Sequence, residues 1–267
     1  MQPTKTPAQV DEVVLEPTAA EIRMGIFEHL DELRRRFMRA IIALGIGTVV
    51  GVLITGQVFE FLLVPYCGLQ EAVDCRLQVL GPTEGIVSYF RVSLMLGAMI
   101  AIPVLTYQIL MFIVPGLTSK ERRIILMTLP AITILFVVGV AFAWFVLMPP
   151  ALNFLENFQS GLFKAEWTAE LYLSFITSLI FWMGVAFETP LIFFVLSLIG
   201  IVTAGALARS WRIAIVGSAV AAALITPTVD PANMFLVMGP LLALYAISIV
   251  LVYFGQRRFA AGGSVAE

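Results

Sequence analysis

Charge is scarce in this chain, and so are histidine and cysteine. Only 13% of its 267 residues are Asp, Glu, Lys or Arg, against about 25% in an ordinary soluble domain. Histidine occurs once, at position 29, ahead of the apolar part of the chain, and no Asp lies within an apolar stretch. Neither the Ser-His pair of an intramembrane serine protease nor the two buried aspartates of an aspartyl protease can therefore be assembled. No GxxxxGK[ST] motif is present, which excludes a nucleotide-binding loop of that kind. Two cysteines without a neighbouring His make no zinc set. The chain reads as non-enzymatic, with no catalytic residue, metal or cofactor. A net charge of −2 and the lack of a basic patch interleaved with aromatics give no ground for nucleic-acid binding.

What is abundant is apolar: 60% of the residues are hydrophobic. Charges cluster and leave runs such as Leu171–Phe187, Thr189–Leu207 and Ile213–Val229 without any. A helix needs about 20 apolar residues to cross a bilayer core. The pattern predicts an all-α, polytopic membrane protein with six spans, at about 37–55, 86–113, 124–148, 171–200, 213–226 and 234–253. The fifth is short, fourteen residues between Arg212 and Pro227, and the sixth is expected to be short because Pro240 should break or kink its helix. Residues 1–25 read as a polar tail without the pattern of a cleavable signal peptide. Residues 26–258 form the membrane domain and 259–267 a second tail.

Lys and Arg near span ends are retained in the cytoplasm. Thirteen of the sixteen basic residues fall in the tails and alternate loops on one side, while Arg76 and Lys164 fall on the other and Arg91 lies inside the second span. Both termini are therefore predicted to be cytoplasmic. Arg91 reads as a side chain snorkelling to the outer interface. Cys67 and Cys75 share the first outer loop, eight positions apart, where either a disulfide or two free thiols fit an external compartment; a bond would contribute about 2–3 kcal/mol.

Residues 26–37 read as an amphipathic helix before the first span, with Ile26, Leu30, Leu33 and Phe37 on its apolar face and Arg34, Arg35, Arg36 and Arg39 near anionic lipid headgroups. On composition alone, its acids offset those arginines through pairs such as Glu32–Arg36. A carboxylate cluster also suits a cationic partner, guanidinium above all, because the two pair as a bidentate fork. Glu121, after Ser119, reads alone as a helix-start acid. Glu188 stands apart as an acid twelve residues from the end of the fourth span. There it must be protonated, paired or facing a wet cavity, and Pro190 beside it frees the carbonyl of Ala186.

These residues carry a resemblance. His29-Leu-Asp-Glu-Leu-Arg-Arg-Arg36 is similar to the HLxELRxR signature of TatC, the large integral subunit of the twin-arginine protein translocase. Pro103–Leu117 followed by Lys120-Glu-Arg-Arg123, then Phe187-Glu-Thr-Pro190 and Thr226-Pro-Thr-Val-Asp-Pro231, resemble its later motifs. The likeness covers about Phe27 to Arg258. It implies a glove-like concave face in the cytoplasmic membrane, and a receptor that binds signal peptides with consecutive arginines. Folded cargo would be exported with the proton-motive force, in an oligomeric complex with small single-span subunits of TatA and TatB type. It also implies a peptide site containing Glu32 and Glu121, with Arg34, Arg122, Arg123 and Phe112 at matching positions. Glu188 would meet the small subunits, and Pro65 and Asp230 fall at positions associated with structure or partner contact. Met234 and Val229 depart from the family pattern, where Gln and Pro are common. The competing expectation is a small proton-coupled transporter in which Glu188 carries the proton, although no clear inverted repeat accompanies it.

Overall fold

The computed structural model describes residues 26–69, 76–113, 119–159, 162, 167–198, 200–226 and 230–262; the side chains of 26–29, 69, 113, 119–127 and 257–262 lie outside that description. So do Cys75, Val229 and both expected tails up to residue 25 and from residue 263. Eight helices occur among the described residues: α1 Ile26–Leu69, α2 Glu84–Ile113, α3 Ser119–Phe142, α4 Met148–Asn157, α5 Ala169–Leu198, α6 Ala204–Arg209, α7 Trp211–Ile225 and α8 Pro231–Gly262. Five stretches are long and apolar enough to cross a membrane, and Trp211–Ile225 is a shorter apolar helix. Six spans thus stand where six were expected.

Which residues face outward identifies the solvent. Leu53, Ile213, Leu224 and Phe145 are more than 70% exposed, whereas Thr55, Ser93, Thr106, Gln108, Thr177, Glu188, Asn233 and Ser248 are buried. An apolar exterior around a polar-spotted interior is stable only when the surroundings are hydrocarbon. The chain is a multi-pass membrane protein.

Without a hydrophobic force between helices in lipid, close packing of small residues joins them. The α1–α2 pair is built this way. The Gly47-Thr-Val-Val-Gly51 stripe of α1 lies against Gly97 and Ser93 of α2, so that a methyl on Gly97 would fall 2.5 Å from the Thr48 Cα and a methyl on Gly51 would overlap the Ser93 carbonyl oxygen. Thr55 Oγ1 and Ser93 Oγ hydrogen-bond at 2.7 Å, and Tyr89 OH donates to the Val52 carbonyl at 2.9 Å. The helices run antiparallel in a fixed register: Gly47 meets Gly97 and Gly51 meets Ser93, and the position numbers sum to 144. A second glycine seam joins α3 to α5, where a methyl on Gly139 would fall 2.9 Å from the Gly184 Cα. Helix α5 is the axis of the bundle, packing against α2, α3 and α8.

Three sequence expectations about helix ends are corrected. The first span does not stop at Thr55: α1 continues to Leu69 and takes in Pro65 and Cys67, which were expected in the loop. The third span does not stop at Met148. Residues Ala143–Leu147 form a π-helical turn, the Met148 N–H reaches back five residues to the Ala143 carbonyl, and α4 continues through Pro149 and Pro150 to Asn157. The wider turn makes room for the proline rings, which clash with carbonyls four residues back in a regular α-helix. The sixth span is likewise not short: α8 runs 32 residues through Pro240, as membrane helices tolerate when neighbouring groups satisfy the freed backbone. The fifth span is short, 15 residues or about 22 Å.

At the end where α1 finishes, Glu84 ties the loops together. Its carboxylate accepts the N–H of Leu80 at 2.8 Å, of Gly81 at 3.3 Å and of Glu170 at 3.0 Å, and the Ala169 N–H donates to the Gln78 carbonyl at 2.8 Å. Arg91 reaches Glu170 at 3.5 Å with its side chain 38% exposed, in keeping with a side chain extended to the interface. Tyr66, Trp167 and Tyr172 pack with ring centroids 5.2 to 5.9 Å apart, and Tyr172 OH donates to the Leu62 carbonyl at 2.8 Å.

Candidate functional site

The N-terminal end of the bundle is assembled from α1, the last turns of α2 and the start of α3. Glu32 and Arg36 sit four residues apart on α1, so their side chains share a face. Arg36 Nε donates to Glu32 Oε1 at 2.9 Å and Nη2 approaches the same oxygen. The pair is shielded, with side-chain exposure of 21% for Glu32 and 16% for Arg36. By contrast Asp31 and Arg35, paired at 2.8 Å, are 50% and 73% exposed, and such surface pairs contribute little. Arg36 engages one carboxylate oxygen only. The other, Glu32 Oε2, is buried and has no hydrogen-bond partner.

Eleven residues before Gly47 is Arg36, and eleven after Gly97 is Gln108, each close to three helical turns away and on the same stripe as its glycine. Phe112, near the end of α2, is partly buried. Five residues separate the end of α2 from Ser119, so the backbone of Glu121, Arg122 and Arg123, in the first turns of α3, belongs to the same end; their side chains lie outside the description. Arg34 is exposed and two positions, about 200°, around the helix from Arg36, so the fold does not draw it into the α1–α2 seam.

Glu188 lies deeper, on α5, 2% exposed, and accepts a hydrogen bond from Thr106 Oγ1 on α2 at 2.9 Å through Oε2. Its Oε1 is buried without a partner. Thr106 and Gln108 are two residues apart on α2 and so face opposite ways, Thr106 toward α5 and Gln108 away from it. Pro190 is buried within α5. The Ala186 side of this helix lines a cavity of about 370 Å³ with Thr189, Ser210, Ser218 and Tyr245.

Pro65 and Cys67 are at the opposite end, within α1, far from Glu32 along a helix of 44 residues. Cys67 is disulfide-bonded; the one other cysteine of the chain, Cys75, lies outside the described residues. Asp230 caps α8: its Oδ1 accepts the Asn233 N–H at 2.7 Å and its Oδ2 the Asn233 side-chain amide at 3.1 Å. That is the N-cap arrangement, with Pro231 in the first helical position. Among the described residues no group of three His, Cys, Asp or Glu side chains is placed to hold a metal.

Sequence reasoning passed over Thr106, Gln108 and Glu84. An amide in the run Val104–Ile113, apolar apart from Thr106, Tyr107 and Gln108, is the signal that would have found Gln108, since a polar group in a span is costly to place. Thr106 needed the partner helix.

These features define a class: a polytopic α-helical membrane protein with inward-facing polar groups, one buried acid in its central helix and a shielded carboxylate at the end where its chain begins. The family profile described as Sec-independent protein translocase protein (TatC) matches residues 28–240. The chain is 32% identical over 240 residues to the Sec-independent protein translocase protein TatC of Synechocystis, covering 90% of this chain and 92% of that one. It is 34% identical to the TatC of Deinococcus radiodurans, covering 90% of each. The chloroplastic TATC of Arabidopsis thaliana is 35% identical over 222 residues, and this chain spans 64% of its length. A crystal structure of the twin arginine translocase receptor TatC superposes with a TM-score of 0.77 at 37% identity, covering 86% of this chain and all of that one. The chain belongs to the TatC family of protein translocase subunits.

Proposed function

We propose that this chain is the signal-peptide receptor and core subunit of a twin-arginine translocase. Its termini face the cytoplasm, and it sits in the inner membrane with small single-span partner subunits. It binds the consecutive arginines of signal peptides, and the complex exports folded proteins with the proton-motive force. The observation that carries the reading is the half-engaged carboxylate of Glu32: one oxygen is held by Arg36 and the other is shielded and unpaired. Guanidinium is the group that matches it, because its planar N–H pairs fit carboxylate oxygens and it sheds water more readily than ammonium does. Family membership supports the same reading, and so does the folding of Glu121, Arg122 and Arg123 to the same end. The Lys and Arg asymmetry supports the orientation.

Binding of a fluorescent twin-arginine peptide to the purified full chain in detergent tests it. Glu32→Ala removes a charge-assisted contact of about 1.5–3 kcal/mol, or roughly 10- to 150-fold in affinity; Glu121→Ala is expected to act in the same direction. Replacing Arg-Arg of the peptide by Lys-Lys weakens binding to the native chain. Unchanged affinity in both protein variants, with the fold intact, refutes the proposal.

A further inference from the structure

The cavity beside Ala186 lies between α5, α7 and α8, away from Glu32. Its α7 wall is a single stripe of small side chains, Ser210, Ala214, Gly217 and Ala221, spaced i, i+4, i+7 and i+11 along one helix face. A methyl on Gly217 would meet nothing within 4 Å, so this face of α7 stands off from α5 and leaves about 370 Å³ open. The far wall is held in place. Tyr245 of α8 donates its hydroxyl to the Leu207 carbonyl at 2.6 Å and sets its ring edge-on to Phe193 of α5, with centroids 6.3 Å apart. Glu188 turns the other way, toward Thr106 on α2, and does not line the cavity.

Length and charge identify what fits. The cavity starts at Ser210, at the head of α7, and reaches Ala221, eleven residues along, or about 16 Å. That is one leaflet, half of a hydrocarbon core of about 30 Å. From residue 189 to residue 262 the chain has one acid, Asp230, at the far end of α7, whereas Arg209, Arg212, Arg257 and Arg258 all fall at the near end. Arg209 is exposed and stands four residues before Ile213, which lines the cavity. The Ser210 side chain does not cap α7. Arg212 lies over the Trp211 ring, 5.4 Å from its centroid.

We propose that this cavity holds one acyl chain of an anionic glycerophospholipid, whose phosphate sits at Arg209 and the Ser210 hydroxyl. The site is independent of the receptor reading. A helix, about 10 Å across, would need roughly 1,300 Å³ over the same length, far more than the cavity offers, whereas an extended hydrocarbon chain is thin enough to enter. The chain supplies the contacts that an open void between α5 and α7 forfeits. The phosphate supplies the negative charge that these three helices lack at that end, and a guanidinium can donate to two of its oxygens.

Native mass spectrometry of the full chain, purified in detergent and then offered phosphatidylglycerol or phosphatidylcholine, tests the proposal. The native chain is expected to hold one phosphatidylglycerol molecule in preference to phosphatidylcholine by about fivefold, the effect of one cation at a headgroup. Arg209→Gln should bring that preference to within about twofold. Gly217→Leu fills the slot and should abolish retention of either lipid, while Gly217→Ala leaves the space open and retains it. Equal retention by the native and Gly217→Leu chains overturns the proposal, and so does a loss in Gly217→Ala as complete as in Gly217→Leu. Should Gly217→Leu fail to fold, Arg209→Gln carries the test, because its side chain is exposed; an unchanged lipid preference there overturns the proposal. A single-span polypeptide held by the native chain in place of lipid, and lost in Gly217→Leu, also overturns it and marks the cavity as a helix site.

Discussion

Gly45 and Gly47 lie two residues apart in α1 and are expected to respond to alanine with opposite signs. A methyl on Gly45 meets nothing within 4 Å, whereas one on Gly47 would overlap the carbonyl oxygen of Gly97 and sit 3.3 Å from its Cα. At Gly45 the substitution only removes backbone freedom from a helix interior, which stabilises by about 0.5–1 kcal/mol. At Gly47 the methyl must push α2 outward by about 1 Å to restore a carbon–oxygen contact of ordinary length. Overpacking of that kind costs about 1–3 kcal/mol. Parting the helices also stretches the Thr55–Ser93 hydrogen bond two turns away, 2.7 Å in the native chain, and such bonds in membrane bundles contribute about 0.6 kcal/mol on average. The net expectation for Gly47→Ala is a loss of about 1–3 kcal/mol, set against a gain at Gly45. Reversible unfolding in mixed micelles, with denaturing detergent as the perturbant, measures both. Glu32 stands on the same helix as these glycines, so Gly47→Ala is expected to weaken peptide binding while Gly45→Ala leaves it unchanged. Equal stability changes at the two positions would refute the packing argument, because helix propensity alone treats them alike.

Three further outcomes follow from single contacts. Thr106→Val deprives the buried Glu188 of the one hydrogen-bond donor it has among the described residues and is expected to destabilise the bundle by about 0.6 to 1.7 kcal/mol. The loss should shrink in the Glu188→Leu background, as a double-mutant cycle in unfolding free energy would report, and additivity would show the contact to be idle. Glu84→Ala removes the acceptor of three backbone N–H groups, so the Leu80, Gly81 and Glu170 amides should exchange hydrogen faster than in the native chain, while those of the α1–α2 seam keep their rates. Asp230→Ala removes the N-cap of α8 at a cost of about 1 kcal/mol, and Asp230→Asn should retain most of it because asparagine caps equally well.

The sequence was most legible where one physical rule acted alone. Hydrocarbon thickness sets span length, so the charge-free runs located six helices, and the short fifth one followed from Arg212 and Pro227 with no further information. Helical spacing alone also anticipated the Glu32–Arg36 pair. Helix ends near proline were misjudged because the rule that proline breaks a helix assumes water as the competitor for the freed carbonyl. In hydrocarbon there is no such competitor, and continuing the helix, with a π turn before Pro149 and with none at Pro240, leaves fewer groups unpaired than stopping does. The candidate site was legible in part for a different reason. Glu32 and Glu188 announce themselves, since a charge in an apolar run is conspicuous. Gln108 carries no charge, and its burial shows only once the helices are packed. The glycines decide how closely α2 approaches α1: a methyl on Gly47, Gly51 or Gly97 would fall 2.4 to 2.5 Å from a backbone atom of the other helix. The seating of α2 on α1 is therefore encoded in the packing of small residues as much as in the apolar runs that mark the two spans.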